Sequence, residues 1–338
     1  MTLRRSVYFT SPHQVTVQEE ALPDPTPGQV VVRTLCSAIS PGTEGLIYRG
    51  QFPQELSLDE NIPALAGAFA YPLKYGYSAV GRVIQTSQGV DPFWQDRLVF
   101  AFHPHESYFT AAPDELQVVP DDVSPEDAVF LPNMETAVNL VMDGRPLIGE
   151  QVVVFGQGVV GLLTTALLSW FPLQKRITLD RFALRRQASL GLGAHASIDP
   201  NEPDALAQAL SLLPDGADLA YELSGAPAAL DSAIAVSGFA GRVIIGSWYG
   251  QKRASLDLGG SFHRSRIRLI SSQVSTLAPE LSGRWSKSRR FAVAWEALRK
   301  LQPSRFITHR FPIQDAAQAY QLVDQRPETT IQVLIQYP

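Results

Sequence analysis

Residues 152–163 (VVVFGQGVVGLL) constrain this chain more than any other stretch. A β-branched apolar run meets three glycines, Gly156, Gly158 and Gly161, and then resumes as an apolar run of helical composition. The first part reads as a buried strand and the second as a helix. Gly156 suits the tight turn between them, Gly158 allows the backbone close to a phosphate, and Gly161 lets the helix lie against the sheet. Gln157, Val159 and Val160 complete the turn, and the unpaired amides at the helix start favour an anion. The pattern predicts a strand–turn–helix that holds the pyrophosphate of a dinucleotide. A turn of the same shape without a ligand is the alternative.

The surrounding sequence supplies the context that such a turn needs. Strands are predicted at 151–155, 176–180, 196–199, 218–222 and 241–246, alternating with helices at 161–168, 183–191, 203–213 and 227–236. That alternation specifies a parallel sheet covered by helices, the Rossmann doubly wound arrangement. Asp180 closes the second strand, where a carboxylate accepts hydrogen bonds from ribose hydroxyls and repels a 2′-phosphate, so NAD(H) is favoured. Arg181 follows directly and can accept that phosphate, which keeps NADP(H) open. A helix cap is the structural alternative for Asp180. Ser224, Gly225, Gly246 and Ser247 follow later strands, at the carboxyl edge where such sheets bind ligands.

The first 122 residues differ in texture. Strands are predicted at 30–35, 78–84, 97–102 and 116–120, with Pro23, Pro25, Pro27 and Gly28 marking the turn before the first. The tail carries helices at 291–300 and 313–324 and a strand at 331–335. The formal charge of −5 argues against a general nucleic-acid surface. Cys36 is the one cysteine, so no disulfide forms within the chain and a reducing, cytoplasmic setting is expected. The start reads as a strand rather than a signal peptide, and no stretch reads as a membrane span.

Residues 27–33 (PGQVVVR), 77–83 (YSAVGRV), Thr136 with Ala137, and 222–227 (ELSGAP) together resemble the medium-chain dehydrogenase/reductase family. The resemblance implies an α/β fold with a GroES-like β-rich catalytic domain at 1–122, a Rossmann domain at 123–270 and a return segment at 271–338 that completes the first. It adds Thr136 to the cofactor-binding residues, and a homodimer or homotetramer acting on a small-molecule substrate to the expectations. Many members hold a catalytic zinc. Here Ser40 stands where the family has a cysteine, Tyr77 replaces a histidine, Ser78 replaces a glutamate, and Pro132 or a neighbour takes the third position. Zinc needs His, Cys or carboxylate ligands, so a zinc-independent member is expected. His103 and His105 read as loop or substrate-facing residues.

Within the family, residues 37–53, 71–83 and 306–312 resemble the bacteriochlorophyllide a dehydrogenase branch, which oxidises a hydroxyethyl group on a chlorin ring to acetyl. By resemblance Thr43 takes the position of a proton-relay hydroxyl and Glu44 that of the acid beside it. Ser40 and Tyr77 are the further catalytic candidates, with Tyr77 the foremost proton donor. Tyr48 is a further possibility or core packing. Residues 51–75, with Phe52, Phe69, Tyr71 and Tyr75, read as a lining for a wide aromatic substrate or as a packed loop. Arg284, Lys287, Arg289 and Arg290 form a basic cluster, read as a solvated helix start or a carboxylate contact. The expected activity is hydride transfer between nicotinamide and an alcohol or carbonyl. Reduction of an enoyl or quinone substrate, and nicotinamide binding without catalysis, are the alternatives.

Overall fold

The computed structural model describes residues 3–53, 55, 58, 62–65 and 67–338. The chain divides into two compact units, Met1–Pro132 with Leu298–Pro338, and Asn133–Ala297. In chain order the first unit carries β1 (Leu3–Ser11), β2 (Gln14–Ala21), β3 (Val30–Ala38), β4 (Leu73–Lys74), β5 (Ala79–Thr86), β6 (Leu98–Ala101), β7 (Tyr108–Ala111) and β8 (Leu116–Val118). The second carries β9 (Gln151–Phe155), β10 (Lys175–Leu179), β11 (Ala196–Ile198), β12 (Ala217–Glu222), β13 (Ser237–Ile245) and β14 (Arg268–Ser271). The chain then returns to the first unit with β15 (Ile307–Pro312) and β16 (Gln332–Gln336).

The first unit is β-rich. One sheet has the order β15-β16-β3-β5-β6-β8, with β7 also paired to β3, and a smaller one has the order β2-β1-β4. Its larger apolar core joins Phe9, Ile39, Ile47, Tyr48, Phe52 and Tyr75 to Tyr320 and Ile335 from the returning segment. The last strand is therefore internal to the fold: β16 pairs parallel with β15 and antiparallel with β3.

The second unit is a six-stranded parallel sheet of order β11-β10-β9-β12-β13-β14. The order reverses at β9, so the crevice at its carboxyl end is the switch point where ligands bind in such sheets. All five residues of β9 are buried. Alternation sends Val153 and Phe155 into one apolar cluster and Val152 and Val154 into another, because successive side chains leave opposite faces of a strand. That two-sided burial is why the strand reads as a continuous apolar run.

The compact units divide later along the chain than the expected boundaries at 122/123 and 270/271. Arg290 gives a physical reason at the second boundary. Far from a solvated helix start, its side chain is fully buried. It donates to Glu135 Oε1 at 2.7 Å and to Asn139 Oδ1 at 2.6 Å, and to the carbonyls of Val274 and Thr276. A planar five-donor group closes this network, which ties the segment after β14 and the helix Lys287–Leu301 to the helix Leu131–Gly144. Among the described residues no helix is long and apolar enough to cross a membrane.

Candidate active site

In the second unit, β9 delivers the chain to Gly156, whose φ of +87° is costly for other residues. A Cβ there would stand 2.6 Å from Ser224 Cα, so Ser224 is held against the turn. A Cβ on Gly161 would stand 2.0 Å from Gly156 O, which fixes the helix Val159–Leu168 tightly on the strand. Gly158 differs: its backbone is extended, and an added Cβ would meet only Arg185 Nη1, at 4.0 Å. Gly158 caps the helix without a side chain, leaving the surface beside the first amides open for a ligand. Val159 is buried and Val160 half-buried in the first turn. Gln157 is buried, its amide accepting from Thr165 Oγ1 at 3.0 Å.

Asp180 lies just past β10 and is buried. One carboxylate oxygen accepts from Gln157 N–H at 2.7 Å and the other from Phe182 N–H at 2.8 Å. The guanidinium groups of Arg181 and Arg185 lie 4.5 and 4.8 Å from the centre of the Phe182 ring. Burial pulls the Arg185 pKa below its usual value, with Asp180 opposing. At the ends of β12 and β13, Gly225 N–H donates to Ser247 Oγ at 2.9 Å. Gly246 N–H and Ser247 N–H both donate to Glu222 O. Glu222 is the residue that sequence reasoning passed over. Fully buried, its carboxylate accepts from Ser224 N–H and Oγ and from the Tyr249 hydroxyl, and so holds both loops. An acid at the end of a parallel strand was the available signal. Thr136 is half-buried on the helix Leu131–Gly144.

In the first unit, β3 runs into a turn that carries Ser40 and then a short helix, Thr43–Tyr48. The segment after β4 reaches Gly76, at φ +131°, and then Tyr77. The Tyr77 phenol donates to Ser40 Oγ, and both residues are half-buried. Thr43 is also half-buried, as the first residue of the helix. Glu44 is fully buried. Its carboxylate accepts from Ser40 N–H at 2.9 Å, from His105 Nε2 at 3.0 Å and from the Tyr320 hydroxyl at 2.5 Å. Burial and the Glu44 charge push the Tyr320 hydroxyl well above its usual pKa.

For several residues read in two ways, the structure favours the packing reading over the substrate-facing one. His105 does not face a substrate: it is fully buried on Glu44 and Ser37. His103 stacks on Phe109 with ring centres 4.0 Å apart. Phe52 and Tyr75 face the apolar core, and Phe69 and Tyr71 pack against it, because this stretch caps one side of the core cluster. Residues 54, 56, 57, 59–61 and 66 of the same stretch lie outside the described residues. Tyr48 stacks on Tyr320 in the core.

The donors at the expected metal positions Ser40, Tyr77 and Ser78 are hydroxyls. Ser40 and Tyr77 bond to each other, and Ser78 Oγ donates to Val129 O. Cys36 is buried with its sulfur on Pro125 O, and burial pushes its thiol up to about 12. Among the described residues no group of three or more His, Cys, Asp or Glu could hold a metal ion. This set of hydroxyls does not fit zinc, which binds thiolate, imidazole and carboxylate.

Residues 159–293 match the zinc-binding dehydrogenase family model. Sorbitol dehydrogenase of Bacillus subtilis (strain 168) is 31% identical over 129 residues, covering 38% of this chain and 36% of that protein. The match thus spans about a third of that relative's length. The 2-desacetyl-2-hydroxyethyl bacteriochlorophyllide A dehydrogenase of Cereibacter sphaeroides is 24% identical, with 97% of each chain covered. The crystal structure of the alcohol dehydrogenase RspB from E. coli CFT073, complexed with NADH, superposes with a TM-score of 0.81. It shares 19% identity and covers 99% of this chain and 100% of its own. The β-rich unit, the doubly wound sheet and its glycine turn together define a dehydrogenase-type fold. Over nearly its whole length the chain is similar to zinc-type alcohol dehydrogenase-like members of the medium-chain dehydrogenase/reductase family, and it is an alcohol dehydrogenase-like oxidoreductase.

Proposed function

We propose that this protein transfers a hydride between a nicotinamide cofactor and the alcohol or carbonyl carbon of a large aromatic substrate, without zinc. The observation that carries the reading is the Tyr77–Ser40 hydroxyl pair, half-buried at positions where a zinc-dependent relative needs metal ligands. The bound nicotinamide supplies or accepts the hydride. This chain's residues hold the cofactor and manage the proton. The amides of the Gly156–Gly161 turn meet the pyrophosphate. Ser224, Gly225, Gly246 and Ser247 form the neighbouring strand ends, braced by Glu222. Because Tyr77 donates to Ser40 Oγ, the Ser40 proton is left to meet a substrate oxygen. In carbonyl reduction Ser40 passes that proton to the oxygen and Tyr77 replaces it, giving a carbinol. Thr43 is a further hydroxyl on the same turn. The relation to the bacteriochlorophyllide enzyme across almost the whole chain supports a chlorin-like or other wide aromatic substrate.

NAD(H) is the favoured cofactor, supported by Asp180 at the strand end. A specific observation favours NADP(H) as a second reading: two guanidinium groups, Arg181 and Arg185, flank one ring beside that carboxylate.

The test has two stages. NADH and NADPH are titrated against the purified protein, and the tighter one is incubated with acetylnaphthalene, an aryl methyl ketone. Formation of the carbinol is expected, with Tyr77→Phe lowering kcat by about a hundredfold and leaving cofactor affinity unchanged. Full activity in Tyr77→Phe removes the hydroxyl pair from the reaction. With benzylideneacetone, an aryl enone, in place of acetylnaphthalene, the saturated ketone as product assigns the chemistry to the enoyl and quinone reductases instead.

A further inference from the structure

Beneath the hydroxyl pair runs a row of buried polar side chains that hydride transfer does not itself require. Tyr337 OH is 2.8 Å from Ser37 Oγ, Ser37 Oγ is 2.7 Å from His105 Nδ1, and His105 Nε2 is 3.0 Å from Glu44 Oε2. A carboxylate only accepts, so the Nε2 proton points at Glu44. With a neutral imidazole, Ser37 then donates to Nδ1 and Tyr337 to Ser37, and every atom in the row is satisfied. Ser37, Glu44 and His105 are all fully buried. Removing such groups from water costs free energy that apolar packing would not, so the row contributes little to stability for its cost. What it contributes is position.

His105 reaches each half of the hydroxyl pair through one intervening residue. On one side it holds Glu44, whose other oxygen accepts the Ser40 backbone N–H at 2.9 Å. On the other side its ring fills the space beside Gly76, where a Cβ would stand 2.7 Å from His105 Cδ2 and 2.8 Å from Nε2. Gly76 is the residue directly before Tyr77, and its φ of +131° aims the chain at that point. One imidazole thus sets the backbone under Ser40 and the backbone under Tyr77. We propose that His105 is the positioning residue of the Ser40–Tyr77 pair, acting through Glu44 on one hydroxyl and through Gly76 on the other. It acts without touching substrate, and the inference rests on the proposed role of that pair.

The test separates position from activity. The full chain is labelled with meta-fluorotyrosine and its fluorine NMR spectrum recorded, the Tyr77 signal being the one lost in Tyr77→Phe. His105→Leu removes the donor to Glu44. It is expected to move the Tyr77 signal and to lower kcat for acetylnaphthalene about tenfold, with NADH affinity unchanged. His105→Gln keeps an amide N–H that reaches Glu44, and is expected to return both the signal and most of kcat. His105→Asn is too short for Glu44, and is expected to behave like the leucine variant; it replaces that variant if His105→Leu does not fold. A folded His105→Leu or His105→Asn protein with an unmoved Tyr77 signal overturns the proposal. So does a kcat loss that His105→Gln fails to restore. If the signal moves but Tyr77→Phe retains full activity, the positioning stands and the proposed role of the pair falls.

Discussion

Gly158 and Gly161 lack a side chain for different reasons. At Gly161 the nearest obstacle to a Cβ is the backbone oxygen of Gly156, at 2.0 Å, which cannot yield without moving the turn. At Gly158 only the flexible end of Arg185 lies within reach, and the extended backbone accommodates any residue. Gly158→Val is therefore expected to change unfolding free energy by less than about 0.5 kcal/mol while weakening dinucleotide binding by at least about tenfold. Gly161→Ala is expected to lower both stability and binding. Chemical denaturation paired with cofactor titration checks the contrast, and equal loss of stability in the two variants contradicts it. A second residue-scale expectation concerns His103. Burial lowers its pKa from 6.5 to about 4, against the pull of Glu106, with Lys74 and Arg4 adding to the depression. The unfolded chain takes up a proton near 6.5 and the folded chain does not. The stability this gives is complete above the unfolded pKa and is lost as pH falls through the folded one, at about 2 kcal/mol between about pH 7 and about pH 5. His103→Phe keeps the stack on Phe109 and is expected to remove that part of the slope in urea unfolding at the two pH values.

Elements were read from sequence in proportion to how local their causes are. Helices Ala183–Gly191 and Pro227–Val236 are observed at their expected bounds, because amphipathic spacing and a proline at the first position act within the segment itself. Strands β14 and β15 were not foreseen. β14 is a four-residue edge strand with no fully buried residue, so no apolar alternation marks it. β15 alternates only weakly and exists because β16 pairs with it. Arg290 shows the same limit for side chains: four neighbouring basic residues look alike in a sequence, and only the turn of the helix sends one of them to Glu135. Arg290→Met is expected to destabilise the protein by about 3–5 kcal/mol, since it leaves Glu135 buried without its partner. The double variant with Glu135→Leu is expected to recover much of that. Thermal or denaturant unfolding of the two variants checks the coupling, and additive losses contradict it.

At the scale of the whole molecule, the second unit is one continuous stretch and the first is assembled from both flanks. The segment Asn133–Ala297, expressed alone, is expected to fold and to bind the preferred dinucleotide within about tenfold of the full chain. Circular dichroism with cofactor titration checks this, and a segment without cooperative unfolding contradicts it. The glycine turn was legible because strand, turn and helix follow one another in sequence. The Ser40–Tyr77 pair was partly legible: the missing metal ligands marked both positions, but their hydrogen bond joins distant parts of the chain. The buried row through His105, Ser37 and Tyr337 could not be read, since it brings together β3, the segment before β7 and the residue after β16.

The interior place of β16 also bears on how the protein is made. Val333, Leu334 and Ile335 are buried between β15 and β3, so the main sheet of the first unit stays open until residues 332–336 have left the ribosome. By then the second unit has already emerged entire. During synthesis the nascent chain therefore carries a finished dinucleotide module beside an unclosed sheet, whose exposed β3 edge is the part most in need of a chaperone.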